Sequence, residues 1–178
     1  MSPQETIKCE HPNVTLREWK IEDAQVLSAI INNKNVWDNL DDLPFPYTLK
    51  NYEDFIRLLL LEKEQKISYA ICYDDKVVGW IGVFRKENIR RLSGELGYYI
   101  AEEHWGKGIT TAAVKRICKY IFEHTGIIRI LAEVFAFNTA SCRVLEKTGF
   151  AFEGIMRQNA IKNNQIVDLH LYAKLKTD

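Results

Sequence analysis

The sequence has no excess of charge of either sign and no long apolar run. Its 178 residues carry 24 basic and 24 acidic side chains, so the formal charge cancels. A general attraction to nucleic acid or to an anionic membrane surface therefore has no support in the composition. The apolar runs are also shorter than the roughly 20 residues that a membrane-spanning helix needs. We expect a protein that neither binds nucleic acid nor crosses a membrane.

Cysteine is scarce, and its spacing excludes the usual metal and redox motifs. No two of the four cysteines form a C-x-x-C pair, so neither a zinc site nor a redox dithiol is predicted. The N-terminal residues do not read as a signal peptide, which predicts reduced thiols in a cytoplasmic protein. The four positions are Cys9, Cys72, Cys118 and Cys142.

Prolines and other signs of a domain boundary are equally few. There are four prolines, and we find no internal repeat, low-complexity stretch or shift in composition. Hydrophobic residues make up 47% and charged residues 27%, the balance of an ordinary globular protein. Residues 1–178 are therefore predicted to form one domain with a single sizeable core.

Hydrophobic periodicity predicts seven strands and four helices. The strands are expected at residues 14–19, 68–73, 76–84, 94–101, 129–137, 150–156 and 165–175. The helices are expected at about 22–32, 51–66, 109–124 and 138–148, the second of them capped by Asn51. Tight turns are expected at Asp74-Asp75 and at residues 162–164. This order predicts a mixed α/β (α+β) domain with one crossover near its centre.

The strongest helix signal lies at residues 109–124, where an apolar stripe recurs at spacings of three and four. Val114, Cys118 and Phe122 add apolar surface beside this stripe, so the helix is expected to be deeply packed. The stripe consists of Ile109, Ala112, Ala113, Ile117, Tyr120 and Ile121.

A glycine turn immediately precedes that helix. Gly106 and Gly108 follow a predicted strand, and glycine permits unusual dihedrals and a close approach of a ligand to the backbone. The first N–H groups of a helix lack partners, and its dipole favours an anion such as a pyrophosphate. The turn matches neither the G-x-G-x-x-G fingerprint, because Thr111 replaces its third glycine, nor the P-loop. On its own it is equally compatible with a purely structural turn.

The segment resembles a known signature when its neighbours are included. It is similar to the Q/R-x-x-G-x-G/A motif of the GNAT acetyltransferases, and more closely to the W-G-K-G variant of their RimJ/RimL branch. Residues 94–100, 138–141, 144–150 and 153–154 match further motifs of that branch in order, so the resemblance covers nearly the whole chain. Trp105 replaces Gln or Arg, and Thr110 replaces the final Gly or Ala. The segment is Trp105-Gly106-Lys107-Gly108-Ile109-Thr110.

The resemblance implies a fold and a cosubstrate. The fold is a GNAT-like mixed, mostly antiparallel seven-stranded sheet flanked by about four helices. The donor is acetyl-CoA, with no metal, and the chain would be a monomer or a homodimer. Pantetheine would pair with the main chain of Tyr99, Ile100, Ala101 and Glu102, where one N–H would also face the oxyanion. The pyrophosphate would be held by Trp105, Gly106, Lys107, Gly108, Ile109, Thr110 and Thr111, and Asn138 would contact the cofactor.

Acetyl transfer to an amine needs a base and an acid for the leaving thiolate. Glu95, mid-strand before the turn, is the first candidate base, and Glu133 on the facing strand is the second. Either carboxylate is also explained as a structural or solvated strand residue. The helix at 138–148 has no tyrosine, the usual acid of the family, and the RimJ/RimL pattern offers Ser141 instead. Ser141 lies three residues after Asn138, the predicted cap of this helix, and is equally placed to bond within the first helical turn.

The acceptor wall is expected in the loop at residues 37–47, with Trp37, Asp41 and Tyr47 as its contacts. Acidic and aromatic residues together suit a cationic amine, although such a loop can also be solvated with its aromatics covering the core. The RimJ/RimL likeness favours the N-terminal α-amine of a ribosomal-protein-like acceptor, with a polyamine or other small amine as the second acceptor class. The competing function is an acyl-CoA-binding regulatory module without turnover.

Overall fold

A single eight-stranded sheet organises the computed structural model, which describes residues 6–40, 43–62 and 66–178. The strand order across the sheet is β1-β2-β3-β4-β5-β6-β8-β7. Every neighbouring pair is antiparallel except β5 and β6, which are parallel and are joined through a helix. The strands are β1 (Thr6–Lys8), β2 (Val14–Arg17), β3 (Lys66–Tyr73), β4 (Lys76–Arg85), β5 (Ser93–Ile100), β6 (Arg129–Phe135), β7 (Ala151–Lys162) and β8 (Gln165–Leu175).

Helices cover both faces of this sheet and divide the core in two. One apolar cluster joins the sheet to α4 and α5, and a second joins it to α1, α2 and α3. We call these two sides the α4–α5 face and the α1–α3 face. Two short 3₁₀ turns, Asn88–Arg90 and Glu102–His104, flank β5. The helices are α1 (Asp23–Ile31), α2 (Lys34–Trp37), α3 (Leu49–Leu61), α4 (Ile109–His124) and α5 (Thr139–Lys147).

The fold class is the expected one, but the sheet has eight strands rather than seven. The extra strand, β1, has three residues and pairs with β2, too short a run to show a period-two pattern. β7 also continues to Lys162, six residues beyond its expected end at 156. An irregularity between Met156 and Ala160 interrupts the pairing there and hides the strand from a simple alternation.

The helices on the α1–α3 face differ most from expectation. α3 begins at Leu49 and ends at Leu61, and its cap is Thr48 rather than Asn51. The Thr48 hydroxyl accepts from the Asn51 N–H, and the Asn51 side chain accepts from the Thr48 N–H, which completes a capping box. α2, a single turn, was not expected at all.

α4 confirms its expected boundaries and its burial. Ile109, Ile117 and Ile121 are almost fully buried, and Val114 and Cys118 widen the apolar stripe as expected. The helix packs across β2, β4 and β5 on the α4–α5 face. Its first turn is therefore fixed firmly at the end of β5, where the glycine turn lies.

Two hairpin turns behave as their sequences predict. Asp74 and Asp75 connect β3 to β4 with φ values of 48° and 63°. Asn163 and Asn164 connect β7 to β8 with φ values of 51° and 59°. Positive φ at both central residues is the mark of the tight hairpin turn that matches strand twist, and Asp and Asn tolerate it better than other side chains.

Three further observations concern membranes, metals and thiols. None of the helices within the described ranges is both long and apolar enough to span a bilayer. Those ranges also contain no group of three or more His, Cys, Asp or Glu side chains placed to share a metal ion. The four cysteines are free, and burial raises the pKa of the Cys118 thiol to about 12.

The core of the α1–α3 face contains a buried pair of phenols. The hydroxyls of Tyr52 on α3 and Tyr99 on β5 hydrogen-bond to each other, and both rings are buried. Burial raises the pKa of Tyr99 and of Tyr52 well above the ordinary value, because the phenolate would lose its hydration. Both groups therefore stay neutral in the folded protein at a pH where they ionise in the unfolded chain.

This pair predicts a loss of stability at alkaline pH. A raised folded-state pKa stabilises the fold fully below the unfolded pKa of about 10 and progressively less above it. Each such phenol removes about 1.4 kcal/mol of unfolding free energy per pH unit above that point. Urea unfolding between about pH 9 and pH 11.5 is expected to show a shallower decline for Tyr52→Phe/Tyr99→Phe than for the wild type. Equal slopes would contradict this account.

Candidate active site

The two central strands separate after a short parallel contact. β5 and β6 pair only where Ser93, Gly94 and Glu95 face residues 129–131. Beyond that point β5 continues to pair with β4 as far as Ile100, and β6 continues with β8 as far as Phe135. A wedge-shaped gap therefore opens between the two halves of the sheet and widens toward the carboxyl ends of β5 and β6.

The main chain of β5 directs hydrogen-bonding groups toward this gap. The Ala101 N–H donates to the Val78 carbonyl on β4, at 2.8 Å. Because strand backbone groups alternate in direction, Tyr99 and Ala101 point toward β4, whereas Tyr98 and Ile100 point toward the gap. The Ile100 carbonyl accepts from the Trp105 indole at 3.0 Å, which leaves the Ile100 N–H aimed into the gap.

The glycine turn follows directly and has the backbone of an anion site. Gly106 and Gly108 have φ values of 74° and 76°, a backbone conformation that residues other than glycine rarely adopt. Gly108 is the N-cap of α4 and offers no side chain to the amides of the first turn. A Cβ at either glycine would meet no atom within 4 Å, so open space lies above the turn. The first amides of α4, at residues 109–111, point into it.

A cleft of about 330 Å³ continues from this turn. Lys115 of α4 and Lys147 of α5 line it together with Glu10 and His11, and Lys115 forms an ion pair with Glu10 at 3.4 Å. Two lysines beside a helix N-terminus suit the phosphate groups of a nucleotide. We did not expect this cleft, because no sequence motif connects residues so far apart along the chain.

The two candidate bases face the same side of the sheet. Glu95 pairs across the strands with Leu131, and Glu133 lies two positions further along β6. Because side chains alternate along a strand, Glu95, Glu133 and Tyr99 all project from the α1–α3 face. Glu133 is exposed, whereas Glu95 is about one-third exposed and is held by an ion pair with Lys86.

The candidate acid lies on the other face of the sheet, the α4–α5 face. The Ser141 hydroxyl is 2.7 Å from the hydroxyl of Tyr98, a residue to which the sequence had given no role. Burial raises the pKa of Tyr98 far above its usual value, so this phenol stays protonated. The Asn138 side chain accepts from the Ser141 N–H at 3.0 Å, which confirms Asn138 as the cap of α5.

The expected acceptor wall is only partly exposed. Trp37, at the end of α2, is half-buried and donates its indole N–H to the Leu43 carbonyl. Tyr47 lies in the core of the α1–α3 face, with an exposed fraction of 8%. Asp41 lies outside the described residues. Asp38, in the same loop, forms an ion pair with Lys34, which with the Asn163 amide lowers the pKa of that carboxyl.

Comparison with known proteins shows which family has a similar sequence and fold. The model of the acetyltransferase (GNAT) domain matches residues 13–151. The chain is 29% identical over 171 residues to the N-acetyltransferase p20 of Bacillus licheniformis, covering 93% of this chain and 94% of that protein. The similar structures include several with coenzyme A or a derivative of it, and two of them, both under 25% identical to this chain, are described next.

The first is RimL, a ribosomal α-N-protein acetyltransferase in complex with coenzyme A, at a TM-score of 0.85 and 21% identity. It covers 98% of this chain and 100% of that one. The second is the spermidine N-acetyltransferase of Vibrio cholerae in complex with CoA and spermine, at a TM-score of 0.81 and 22% identity. Here the coverage is 93% of this chain and 96% of that one.

Proposed function

Because the chain belongs to the acetyltransferase (GNAT) family, we propose that this acetyl-CoA-dependent N-acetyltransferase acts on the α-amine of a protein N-terminus. The use of acetyl-CoA is supported by the gap between β5 and β6, which ends in the glycine turn and α4, and the observation that carries the choice of acceptor is the pair of lysines beside Trp37. An extended pantetheine fits a gap lined by strand backbone, and a pyrophosphate fits the amides at the turn.

The gap divides the reaction between the two faces of the sheet. The Ile100 N–H, aimed into the gap, would donate to the thioester oxygen as it gains negative charge. On the α1–α3 face, Glu95, with Glu133 as the alternative, would take the proton from the amine. On the α4–α5 face, Ser141 would protonate the departing thiolate and recover its proton from solvent, while Tyr98, which stays protonated, would donate a hydrogen bond to the Ser141 oxygen and hold it in place. Lys115 and Lys147 would hold the nucleotide end of the cosubstrate.

The described part of the acceptor wall favours a single amine over a polycation. Asp38 is already engaged by Lys34, and a buried lysine, Lys162, covers the ring of Trp37 at 3.5 Å. A second or third positive charge on the acceptor would meet these lysines. An α-amine, with a pKa of about 8, also loses its proton to a base more readily than an alkylamine with a pKa of about 10. A polyamine is the second candidate, since a spermidine acetyltransferase is among the similar structures.

The experiment follows free-thiol release from acetyl-CoA with the purified protein. Its acceptors are peptides with a free N-terminus, the same peptides with a blocked N-terminus and an internal lysine, and spermidine. We expect thiol release with the free peptides only, and mass spectrometry should place the acetyl group on residue 1. Release with spermidine alone would select the second candidate. Tight CoA binding without amine-dependent release from any acceptor would indicate a regulatory module and contradict the proposal.

A cytoplasmic location and a monomeric or dimeric state stay predictions of the sequence. Gel filtration with light scattering measures the second directly.

A further inference from the structure

The one-turn helix α2 lies between the two halves of the divided sheet. Together with its flanking residues it makes up the segment 33–40, which we call the strap. One end of the strap contacts Glu102, directly after β5, and the other contacts Lys162, at the end of β7. β8 runs antiparallel to β6, with Leu169 opposite Phe135, so the β7–β8 turn lies beyond the carboxyl end of β6. The strap therefore joins the two halves at the wide end of the gap.

The first anchor is a carboxylate that binds two amides. Glu102 accepts from the Asn33 side chain at 2.7 Å and from the Asn35 side chain at 2.8 Å, one with each oxygen. Asn33 is also the cap of α2, since its side chain accepts from the Asn35 N–H at 2.9 Å. A helix of four residues is too short to be stable alone, so it needs contacts of this kind.

The second anchor is a buried ammonium. Lys162 has an exposed fraction of 8%, and its Nζ donates to the carbonyls of Trp37 at 2.9 Å and Leu40 at 2.5 Å. The same Nζ lies 3.5 Å from the centre of the Trp37 ring, within the range of a cation–π contact. Next to it, the Asn163 side chain donates to Asp38 at 3.0 Å. A buried charge is tolerated only where it is well paired, and the strap supplies such partners.

We propose that Glu102 and Lys162 are positioning residues that hold the strap across the wide end of the gap and thereby shape the acceptor entrance. The assignment rests on the proposed function, because the acceptor approaches from the α1–α3 face. Neither side chain needs to touch the acceptor. Each fixes one end of the same short segment, and releasing either end displaces Trp37 and the loop that follows it.

The shared segment leads to a sharp prediction for two variants and their combination. Lys162→Met and Glu102→Ala are each expected to raise the acceptor KM about tenfold, because a displaced wall no longer contributes to binding the amine. For Lys162→Met, the acetyl-CoA KM and kcat should stay within about twofold of the wild type. The double variant should be hardly worse than either single variant, since one lost anchor already releases the strap. Hydrogen exchange at residues 34–40 should accelerate in all three proteins.

The matched control is Lys174→Met. Lys174 also donates to a backbone carbonyl, that of Thr148 at 2.6 Å, but at the carboxyl end of α5 and away from the strap. It is expected to lose stability without a change in acceptor KM or in exchange at residues 34–40.

The outcomes separate this inference from the proposed function. An unchanged acceptor KM in an active Lys162→Met protein would overturn the strap while leaving the proposed function intact. Strictly additive effects in the double variant would equally show that the two residues act on different segments. An inactive wild type would instead defeat the proposed function and the acceptor role of the strap with it. Should Lys162→Met fail to fold, Glu102→Ala with the exchange measurement still decides the matter.

Discussion

Replacement of Gly108 by valine is expected to raise the KM for acetyl-CoA at least about a hundredfold, with little change in the acceptor KM. Gly108 has a φ of 76° and caps α4 with no side chain of its own. A β-branched residue disfavours this conformation by about 1–2 kcal/mol, so the turn would rearrange. Hydrogen bonds to charged groups contribute about 1.5–3 kcal/mol each, and losing two of them accounts for the expected factor.

The steric part of the effect depends on the ligand rather than on the free protein. A Cβ at Gly108 meets no protein atom within 4 Å, so the variant is expected to fold. Its branched side chain would instead occupy the open space where the pyrophosphate is proposed to bind. Isothermal titration with CoA, together with the thermal unfolding midpoint of the free protein, separates the two effects.

Gly126→Val is the matched control. Gly126 follows the other end of α4, and a Cβ there also meets nothing within 4 Å, but its φ lies outside the left-handed region. This variant should bind CoA as the wild type does. Equal affinities of the two valine variants would show that the turn before α4 does not hold the pyrophosphate.

Most of the fold could be predicted from patterns within short segments of the sequence. The stripe of α4, the cap at Asn138 and the two tight hairpin turns are properties of short segments, and the structure confirms each of them. The glycine turn is also predictable from a short segment, because residues next to one another in the sequence determine both its positive φ values and the start of the helix. The two elements that the sequence did not predict, β1 and α2, contain three and four residues, too few to show a repeating pattern of either kind.

The parts of the candidate site that the sequence did not predict join residues far apart in the chain. Lys162 reaches a carbonyl 125 residues away, and the hydroxyls of Tyr98 and Ser141 meet across 43 residues. Lys162 looked like the first residue of a turn, which it also is. A buried lysine is recognised only when the segment that supplies its partners is folded against it. Tertiary packing, rather than local propensity, therefore decides these roles.

Glu95→Gln is expected to lower kcat about a hundredfold to a thousandfold near neutral pH, in the range that general base catalysis contributes. Glutamine keeps the shape of the side chain but cannot accept a proton from the amine. The defect should shrink as the pH rises, because an amine that is already neutral needs no base. For an α-amine that change is expected around its pKa of about 8. Rates measured from about pH 6 to pH 9 give the profile.

Two further carboxylates make this test specific. Glu153 pairs with Arg129 much as Glu95 pairs with Lys86, with side-chain exposed fractions of 35% and 31% for the two glutamates. Glu153→Gln removes a similar ion pair from β7 and is expected to leave kcat and its pH profile unchanged. Glu133→Gln tests the second candidate base, which lies on the same α1–α3 face of the sheet. If the pH profile changes only in Glu133→Gln, the base is Glu133, and the ion pair with Lys86 leaves Glu95 a structural role.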